Sequence, residues 1–378
     1  MRIAINTWFW NSPTTGSGQY IRLLVEHLHA IAPELEITLV FPAGRGFHAS
    51  RFPPDASRLT FPISRFTKLW FEQIAFPRAC THLGADVAHV PYWASPLAPS
   101  VPTVVTIHDL IPLLLREYRG GPLVRLYTAL VSTSVQSSAL VLTDSGASRR
   151  DILRHLALPP ERVRAIPLAA DERYTPSPAP GDTETRARYN LPERYTLYLG
   201  GFDVRKNLET ALSTYRWAGP AIGDECPLVV AGRLPERDTP FAPDPRRLAQ
   251  EQGIDERFVR FTGFVDEADK PALYRGATAF IFPSQYEGFG LPVLEALACG
   301  APVVGSDVSS IPQVVGDAGV LLPPDDAEGM AGALIQLATD DDFRAELSRC
   351  ALAQAARFSW QRTAQETLAA YRDVARKT

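Results

Sequence analysis

Glu287 and Glu295 stand eight residues apart in the segment Ser284-Gln285-Tyr286-Glu287-Gly288-Phe289-Gly290-Leu291-Pro292-Val293-Leu294-Glu295-Ala296. The apolar run Phe280-Ile281-Phe282 reads as a strand ending at Pro283. A glycine-containing loop follows, then a helix with Pro292 in its first turn, where proline is tolerated. Such a helix start offers the amides of Phe289, Gly290 and Leu291 to an anion, and its dipole favours negative charge. Gly288 and Gly290 let a ligand approach the backbone closely. On one continuous helix the two carboxylates would differ by about 80°. With Glu287 in the loop and Glu295 a turn into the helix, both could face the crevice at the strand end. Carboxylates accept hydrogen bonds from vicinal hydroxyls, so one could hold a ribose and the other a sugar. The plainer alternative is one glutamate serving the helix dipole and one facing water.

A second segment, Leu199-Gly200-Gly201-Phe202-Asp203-Val204-Arg205-Lys206-Asn207, also sits at a strand end, with Asn207 placed to cap the next helix. Two adjacent cations at a helix start oppose the dipole, and an anionic ligand would resolve the conflict. Arg offers a two-pronged fork and Lys a point charge, which together suit a diphosphate. The chain has only four lysines among 38 basic residues, so a lysine here carries some weight. A third segment, Thr15-Gly16-Ser17-Gly18-Gln19-Tyr20, lies between the first strand and the first helix and could cradle a phosphate. It is not a dinucleotide fingerprint: Ile21 stands where a third glycine is needed, and the second strand ends in Phe41-Pro42-Ala43-Gly44 without an acid. A nicotinamide-dependent oxidoreductase is therefore disfavoured. A fourth pair, His108-Asp109, closes another strand, with Asp109 available to orient His108 or to anchor the loop.

The elements that must position these residues alternate regularly. Strands are expected at 3–6, 37–41, 87–90, 103–107, 140–143 and 163–166, and again at 196–199, 228–231, 259–261, 279–282, 302–305 and 320–322. Helical spacing runs over 20–31 through Ile21, Leu24, Val25, Leu28 and Ile31, and another helix follows Ser145. In the second half helices are expected to start near Asn207, Asp266, Leu291, Asp326 and Asp341. This alternation predicts an α/β protein with two doubly wound parallel sheets, whose ligands lie beyond the carboxyl ends of the strands. The expected division is a first domain over 1–173, a Pro-rich linker over 174–192, and a second domain over 193–358. A terminal helix is expected over 359–378.

Composition narrows the function classes. With 46% hydrophobic and 21% charged residues, the chain is an ordinary folded one, and its 378 residues suit two domains. No eighteen-residue apolar run exists, since the best stretch, 123–142, is broken by Arg125 and Gln136. The first residues lack the features of a secretory leader. Cys80, Cys226, Cys299 and Cys350 are scattered, which fits reduced thiols rather than a zinc site or a disulfide framework. A cytoplasmic location is expected. No D-x-D cluster stands at a strand end, so no metal is expected. Net charge is −4, divided as +4 over residues 1–175 (17 Lys+Arg, 13 Asp+Glu) and −8 over the rest (21 and 29). There is no clustered basic and aromatic footprint for nucleic acid. The stretch 61–83, with Phe66, Leu69, Trp70, Phe71, Ile74 and Phe76 beside Arg65, Lys68 and Arg78, reads as a helix packed on the core. Its alternative is peripheral contact with the inner face of a membrane.

Residues 286–295 resemble the E-x7-E motif of the retaining glycosyltransferases of family 4 (group 1), which have the two-domain GT-B fold. The resemblance covers nearly the whole chain. Ile107-His108-Asp109-Leu110-Ile111-Pro112 and Phe282-Pro283-Ser284-Gln285-Tyr286-Glu287-Gly288-Phe289-Gly290-Leu291-Pro292 look closest to an O-antigen mannosyltransferase B-like subgroup. The resemblance implies a nucleotide-sugar donor, GDP-mannose before UDP-, ADP- or dTDP-sugars, and a glycan or lipid-linked acceptor in surface polysaccharide synthesis. It implies that Glu295 binds the donor ribose, that Glu287 lies near the transferred sugar, and that Phe289, Gly290 and Leu291 contact sugar and distal phosphate. Arg205 and Lys206 would bind the diphosphate in place of a metal, with Gly201 and Gly288 in the donor-binding loops. His108 would touch the donor sugar. Gly16 and Gly18 would match the glycine-rich loop on the acceptor side, while Arg233, Phe264 and Val265 would flank the base and ribose. The resemblance also implies that the terminal helix, 359–378, packs back on the first domain. A sugar-nucleotide epimerase on the same fold is the rival activity.

Overall fold

The computed structural model describes residues 1–13, 15–43, 46–51 and 65–376. The chain divides into two compact units, Met1–Leu168 with Ser359–Thr378, and Ala169–Phe358.

In the first unit seven strands form one sheet: β1 (Arg2–Asn6), β2 (Glu36–Ala43), β3 (Gly46–Arg51), β4 (Val87–Val90), β5 (Thr103–Thr106), β6 (Leu140–Thr143) and β7 (Val163–Ala165). Their order is β3-β2-β1-β4-β5-β6-β7, and every pairing is parallel except the β2–β3 hairpin. The second unit holds β8 (Thr196–Leu199), β9 (Leu228–Ala231), β10 (Val259–Gly263), β11 (Ala279–Phe282), β12 (Val303–Ser306) and β13 (Gly319–Leu322). These are wholly parallel in the order β10-β9-β8-β11-β12-β13. Central strands such as β4, β5, β8, β9 and β11 are buried at every position, as strands covered by helices on both faces must be. The strand order reverses between β1 and β4 and between β8 and β11. Ligands of doubly wound sheets bind beyond the strand ends at such switch points.

All twelve expected strands are present. The antiparallel β3 is an addition, a short strand, Gly-Phe-His-Ala-Ser-Arg, with only Phe47 as a large apolar residue. The segment expected as a linker is folded. Its helix Asp182–Arg188 carries Asp182 and Glu184 in its first turn and Arg186 and Arg188 in its last, an arrangement that suits the dipole. Asp182 binds Arg275 of the helix Lys270–Gly276, and Arg188 binds Asp269 at 2.8 Å, so the segment belongs to the second unit. That second helix starts at Lys270 rather than near Asp266 because Pro271 takes its first turn.

The last helix, Trp360–Arg376, buries Trp360, Ala364, Leu368, Tyr371 and Val374 on one face. It belongs to the first unit, where it packs against the helix Gly16–Ile31. Thr363 Oγ1 donates to Pro167 O at 2.7 Å and Arg164 pairs with Asp373 at 2.7 Å. Within the stretch 61–83, Phe71 and Phe76 are buried in the core, as the packed-helix reading requires; residues 61–64 lie outside the described residues.

Candidate active site

In the second unit the two motifs meet at the switch point, because one follows β8 and the other β11. Backbone and side-chain bonds stitch their loops together. Gln285 N donates to Arg205 O at 2.8 Å, and Ser284 Oγ donates to the same carbonyl at 3.1 Å. Asn207, in the left-handed conformation at φ 53°, reaches across with Nδ2 to Pro283 O (3.0 Å) and Pro324 O (2.6 Å). Asn207 therefore clamps loops rather than capping the following helix with its side chain.

Three groups converge on one oxygen of Glu287. Lys206 Nζ lies 2.7 Å from Oε1, Arg205 Nη1 2.6 Å, and Ser284 Oγ 2.6 Å. Arg205 Nη1 also donates to Tyr286 O at 2.8 Å. Among the described residues no bond is made to Oε2. Glu287 is buried, which alone would raise its carboxyl; Lys206, Arg205 and the bonds from Lys206 and Ser284 outweigh that and hold it below the usual carboxylate range. The result is a fixed carboxylate flanked by two cations, each with only about an eighth of its side chain exposed (12% and 13%).

The turn after Glu287 is shaped by two serines that the sequence reading did not single out. Ser309 Oγ accepts from Glu287 N at 3.1 Å and donates to Glu287 O. Ser310 Oγ reaches Glu287 O (2.9 Å) and Phe289 O (2.7 Å). Ser309 itself holds φ 59°, a conformation that non-glycine residues adopt only under constraint. With the carbonyls engaged on one side, the amides of Phe289, Gly290 and Leu291 donate to no acceptor among the described residues. Gly290 has φ 104°, and a Cβ there would stand 2.9 Å from Ile311 Cδ1, so glycine is required.

Glu295 lies on the helix Leu291–Ala298 in different surroundings. It is buried and accepts from Tyr274 OH at 3.1 Å. Burial pushes its carboxyl up to about 7, with Lys270 drawing it down and Glu267 pushing it up. Arg233 stacks on the Phe264 ring at 4.6 Å, and Phe264 is exposed while Val265 is buried. Tyr198 OH donates to Gly201 O at 2.8 Å.

In the first unit His108 follows β5. Its Nδ1 is 2.7 Å from Asp144 Oδ2 and its Nε2 is 3.3 Å from Pro91 O. Asp144, which the sequence reading missed, is thus the partner that orients His108, while Asp109 Oδ1 accepts from Ile111 N at 2.9 Å and anchors the loop. Burial opposes charge on His108, but Asp144, and to a smaller extent Asp109 and Pro91 O, hold it above the usual histidine range. Tyr20 meets the His108 ring edge-on at 4.9 Å. Behind it runs a buried neutral chain in which Tyr20 OH meets Thr106 Oγ1 (3.1 Å), Thr106 meets His89 Nε2 (2.8 Å), and His89 Nδ1 meets Tyr371 OH (2.6 Å). Burial lowers His89 to about 3, so it stays uncharged. Gly16 opens the first helix, and Thr15 caps it by accepting from Gly18 N at 3.2 Å. A Cβ on Gly18 would collide with the Ser12 carbonyl, so this glycine is needed for the fold of the loop itself.

Among the described residues no group of three or more His, Cys, Asp and Glu side chains could hold a metal ion, and no helix is long and apolar enough to cross a membrane.

The family comparisons bear on this arrangement. Residues 14–174 match the family model described as Glycosyltransferase Family 4, and residues 193–340 match that of Glycosyl transferases group 1. The chain is 35% identical over 270 residues to the O-antigen chain mannosyltransferase B of Escherichia coli, covering 71% of this chain and 70% of that one. It is 33% identical over 279 residues to the serotype-specific mannosyltransferase WbdA of the same organism, covering 72% of this chain but 34% of WbdA. Among solved structures, sucrose-phosphate synthase from Thermosynechococcus elongatus has a TM-score of 0.76 at 23% identity, with 100% of both chains covered. WaaG, a glycosyltransferase involved in lipopolysaccharide biosynthesis, has 0.70 at 17%, with 97% of this chain and 98% of its own covered. These likenesses show the GT-B fold. With two family models matched across its length and a relative 35% identical over most of both chains, this protein belongs to the family 4, group 1 glycosyltransferases.

Proposed function

We propose that this glycosyltransferase moves mannose from GDP-mannose, with retention of configuration, onto a glycan or lipid-linked acceptor in surface polysaccharide synthesis. The observation that carries this reading is the convergence of Arg205, Lys206 and Ser284 on Glu287 Oε1 at the switch point of the second sheet. The choice of mannose is supported by the 35% identity to a protein named as an O-antigen chain mannosyltransferase.

The chemistry follows from charge. Departure of a nucleoside diphosphate builds negative charge on phosphate while the sugar becomes cation-like. Arg205 and Lys206 are already fixed and largely desolvated, so they stabilise the leaving group without reorganising. The amides of Phe289, Gly290 and Leu291 add neutral donors at a helix N-terminus. Glu287 is kept ionised by the same cations, with Oε2 open to accept from sugar hydroxyls and to lie against the developing positive centre. Glu295, deeper in the helix, accepts from the ribose hydroxyls. Arg233 and Phe264 form the platform for the base, and His108, steadied by Asp144, contacts the donor sugar. The two cations take the role a metal fills elsewhere, so transfer proceeds in the presence of a chelator.

The test is a transfer assay with GDP-mannose and mannose-terminated glycan acceptors, with the product's anomeric configuration read by NMR. An α-linked product is expected, and chelator leaves the rate unchanged. A β-linked product would contradict retention. Turnover of a UDP-, ADP- or dTDP-sugar instead would replace the donor and keep the reaction class, and interconversion of the nucleotide sugar without acceptor would favour an epimerase.

A further inference from the structure

Among the described residues, those other than glycine that hold a positive φ are Ala157, Asn190, Asn207 and Ser309. Two of them, Asn207 and Ser309, flank the candidate site. Asparagine tolerates the left-handed region, and Asn207 uses its side chain there to clamp two loops. Serine tolerates the region less well, and glycine at 309 would hold the same backbone with no Cβ to crowd the following carbonyl. The strain at Ser309 therefore points to its hydroxyl.

That hydroxyl holds both backbone polar groups of one residue: it accepts from Glu287 N at 3.1 Å and donates to Glu287 O. A serine has a single O–H to donate. With Ser309 serving Glu287 O, the hydrogen of Ser310 is left for Phe289 O, the nearer of its two acceptors (2.7 against 2.9 Å). The C=O and N–H of a planar trans peptide point in opposite directions. Turning Phe289 O toward Ser310 thus sends the Gly290 N–H to the other side of the turn. The loop that carries both serines is itself anchored. Ser306, the last residue of β12, donates from Oγ to Ser284 O at 2.6 Å, and Asp307 N donates to Leu322 O of β13 at 2.9 Å. Glu287 is therefore fixed twice, its carboxylate by Arg205, Lys206 and Ser284 and its main chain by Ser309.

We propose that Ser309 is a positioning residue for transfer. It holds the Glu287 main chain and, by leaving Ser310 to Phe289 O, keeps the Gly290 amide aimed at the departing diphosphate. Its strain serves geometry and not stability. The statement rests on the proposed use of Glu287 and of these amides in transfer. Alanine and glycine at 309 separate the two roles, because both remove the hydroxyl and only glycine removes the strain.

The experiment compares wild type, Ser309→Ala and Ser309→Gly in three measurements. These are thermal melting, amide hydrogen exchange over 284–291 without ligand, and steady-state transfer from GDP-mannose with UDP-, ADP- and dTDP-glucose in parallel. Ser309→Gly is expected to melt above Ser309→Ala. Exchange over 284–291 should quicken about tenfold in both variants, as the bond to Glu287 N is lost. In both, kcat should fall about tenfold or more, and to a similar degree, with donor KM within about threefold of wild type. A kcat within twofold of wild type in both variants, or unchanged exchange over 284–291, would overturn the proposal. So would a kcat that follows the melting order, with the glycine variant restored toward wild type, because Ser309 would then serve the fold alone. Turnover of another of these donors in place of GDP-mannose replaces the donor and leaves the comparison intact. If folded wild type turns over none of them, the transfer reading fails, and the exchange data alone decide whether Ser309 holds the Glu287 main chain.

Discussion

At the rim of the second sheet, two cations and a serine hydroxyl meet on one carboxylate oxygen with little solvent around them. At the rim of the first, a single imidazole–carboxylate pair stands in front of a neutral chain from Tyr20 to Tyr371. The second arrangement holds its geometry by packing and hydrogen bonds. The first holds it by opposed charges: Arg205 and Lys206 face Glu287, and Asp203 stands 3.7 Å from Arg205 Nε. Two adjacent cations of this kind suit a diphosphate. A His–Asp pair suits orientation of a neutral group, such as a sugar hydroxyl. The same contrast appears inside the E-x7-E motif. Glu287 is kept below the usual carboxylate range by its cations, whereas Glu295, eight residues on, is pushed up to about 7 by burial. One motif therefore supplies a fixed anion and a carboxyl that titrates near neutrality.

The largest effect that would sharpen this contrast comes from Lys206→Ala. It removes one of two pre-placed cations, and transfer should fall by about 30- to 1,000-fold, or roughly 2–4 kcal/mol, with the fold intact by circular dichroism. A loss below threefold would break the assignment of leaving-group stabilisation to this rim.

Glu295→Gln comes next. The Glu295 carboxyl rises from 4.5 to about 7 on folding, so the folded chain binds the extra proton. The resulting penalty is absent below the unfolded value, grows through the window between the two, and reaches about 3 kcal/mol above it. The variant should thus melt higher than wild type at pH 8 and close to it at pH 4.5, while its donor affinity falls. Equal midpoints at pH 8 would contradict the buried, raised carboxyl.

Asp144→Asn tests the first rim. The His108 imidazole, followed by NMR titration, should titrate lower than in wild type, because burial, the largest influence on it, is then opposed only by Asp109 and Pro91 O, and kcat should drop about tenfold. Stability from this pair is present below the ordinary value and is lost as pH rises through the higher folded one. The smallest effect is expected from Tyr371→Phe, which leaves His89 Nδ1 without its partner. It should cost roughly 1–3 kcal/mol of stability in a urea melt and leave transfer near wild type.

The strands and the second-unit motifs were legible because local pattern carries them: parallel strands are continuous apolar runs, and glycines, cations and glutamates sit at fixed offsets from the strand ends. Asp144 was not, since it reaches His108 across 36 residues through the adjacency of β5 and β6, and no spacing announces that. Its one signal is an acid between the strand 140–143 and the capping Ser145. Ser309 and Ser310 were missed for a similar reason, because their role depends on the return of the chain after β12 to the turn after β11. The stretch 174–192 was expected to be a linker from its prolines, yet Asp182 and Arg188 pair with residues more than 80 positions away, and those pairings hold it on the second unit.

On the proposed function, the Glu287–Arg205–Lys206 cluster receives the diphosphate of a nucleotide-sugar donor. Its most direct test is isothermal titration of GDP into wild type and into Lys206→Ala. Binding to wild type is expected, weakened about tenfold or more in the variant by loss of one charge-assisted contact. Unchanged GDP affinity in folded Lys206→Ala, or no binding of GDP, UDP, ADP or dTDP to folded wild type, would contradict it.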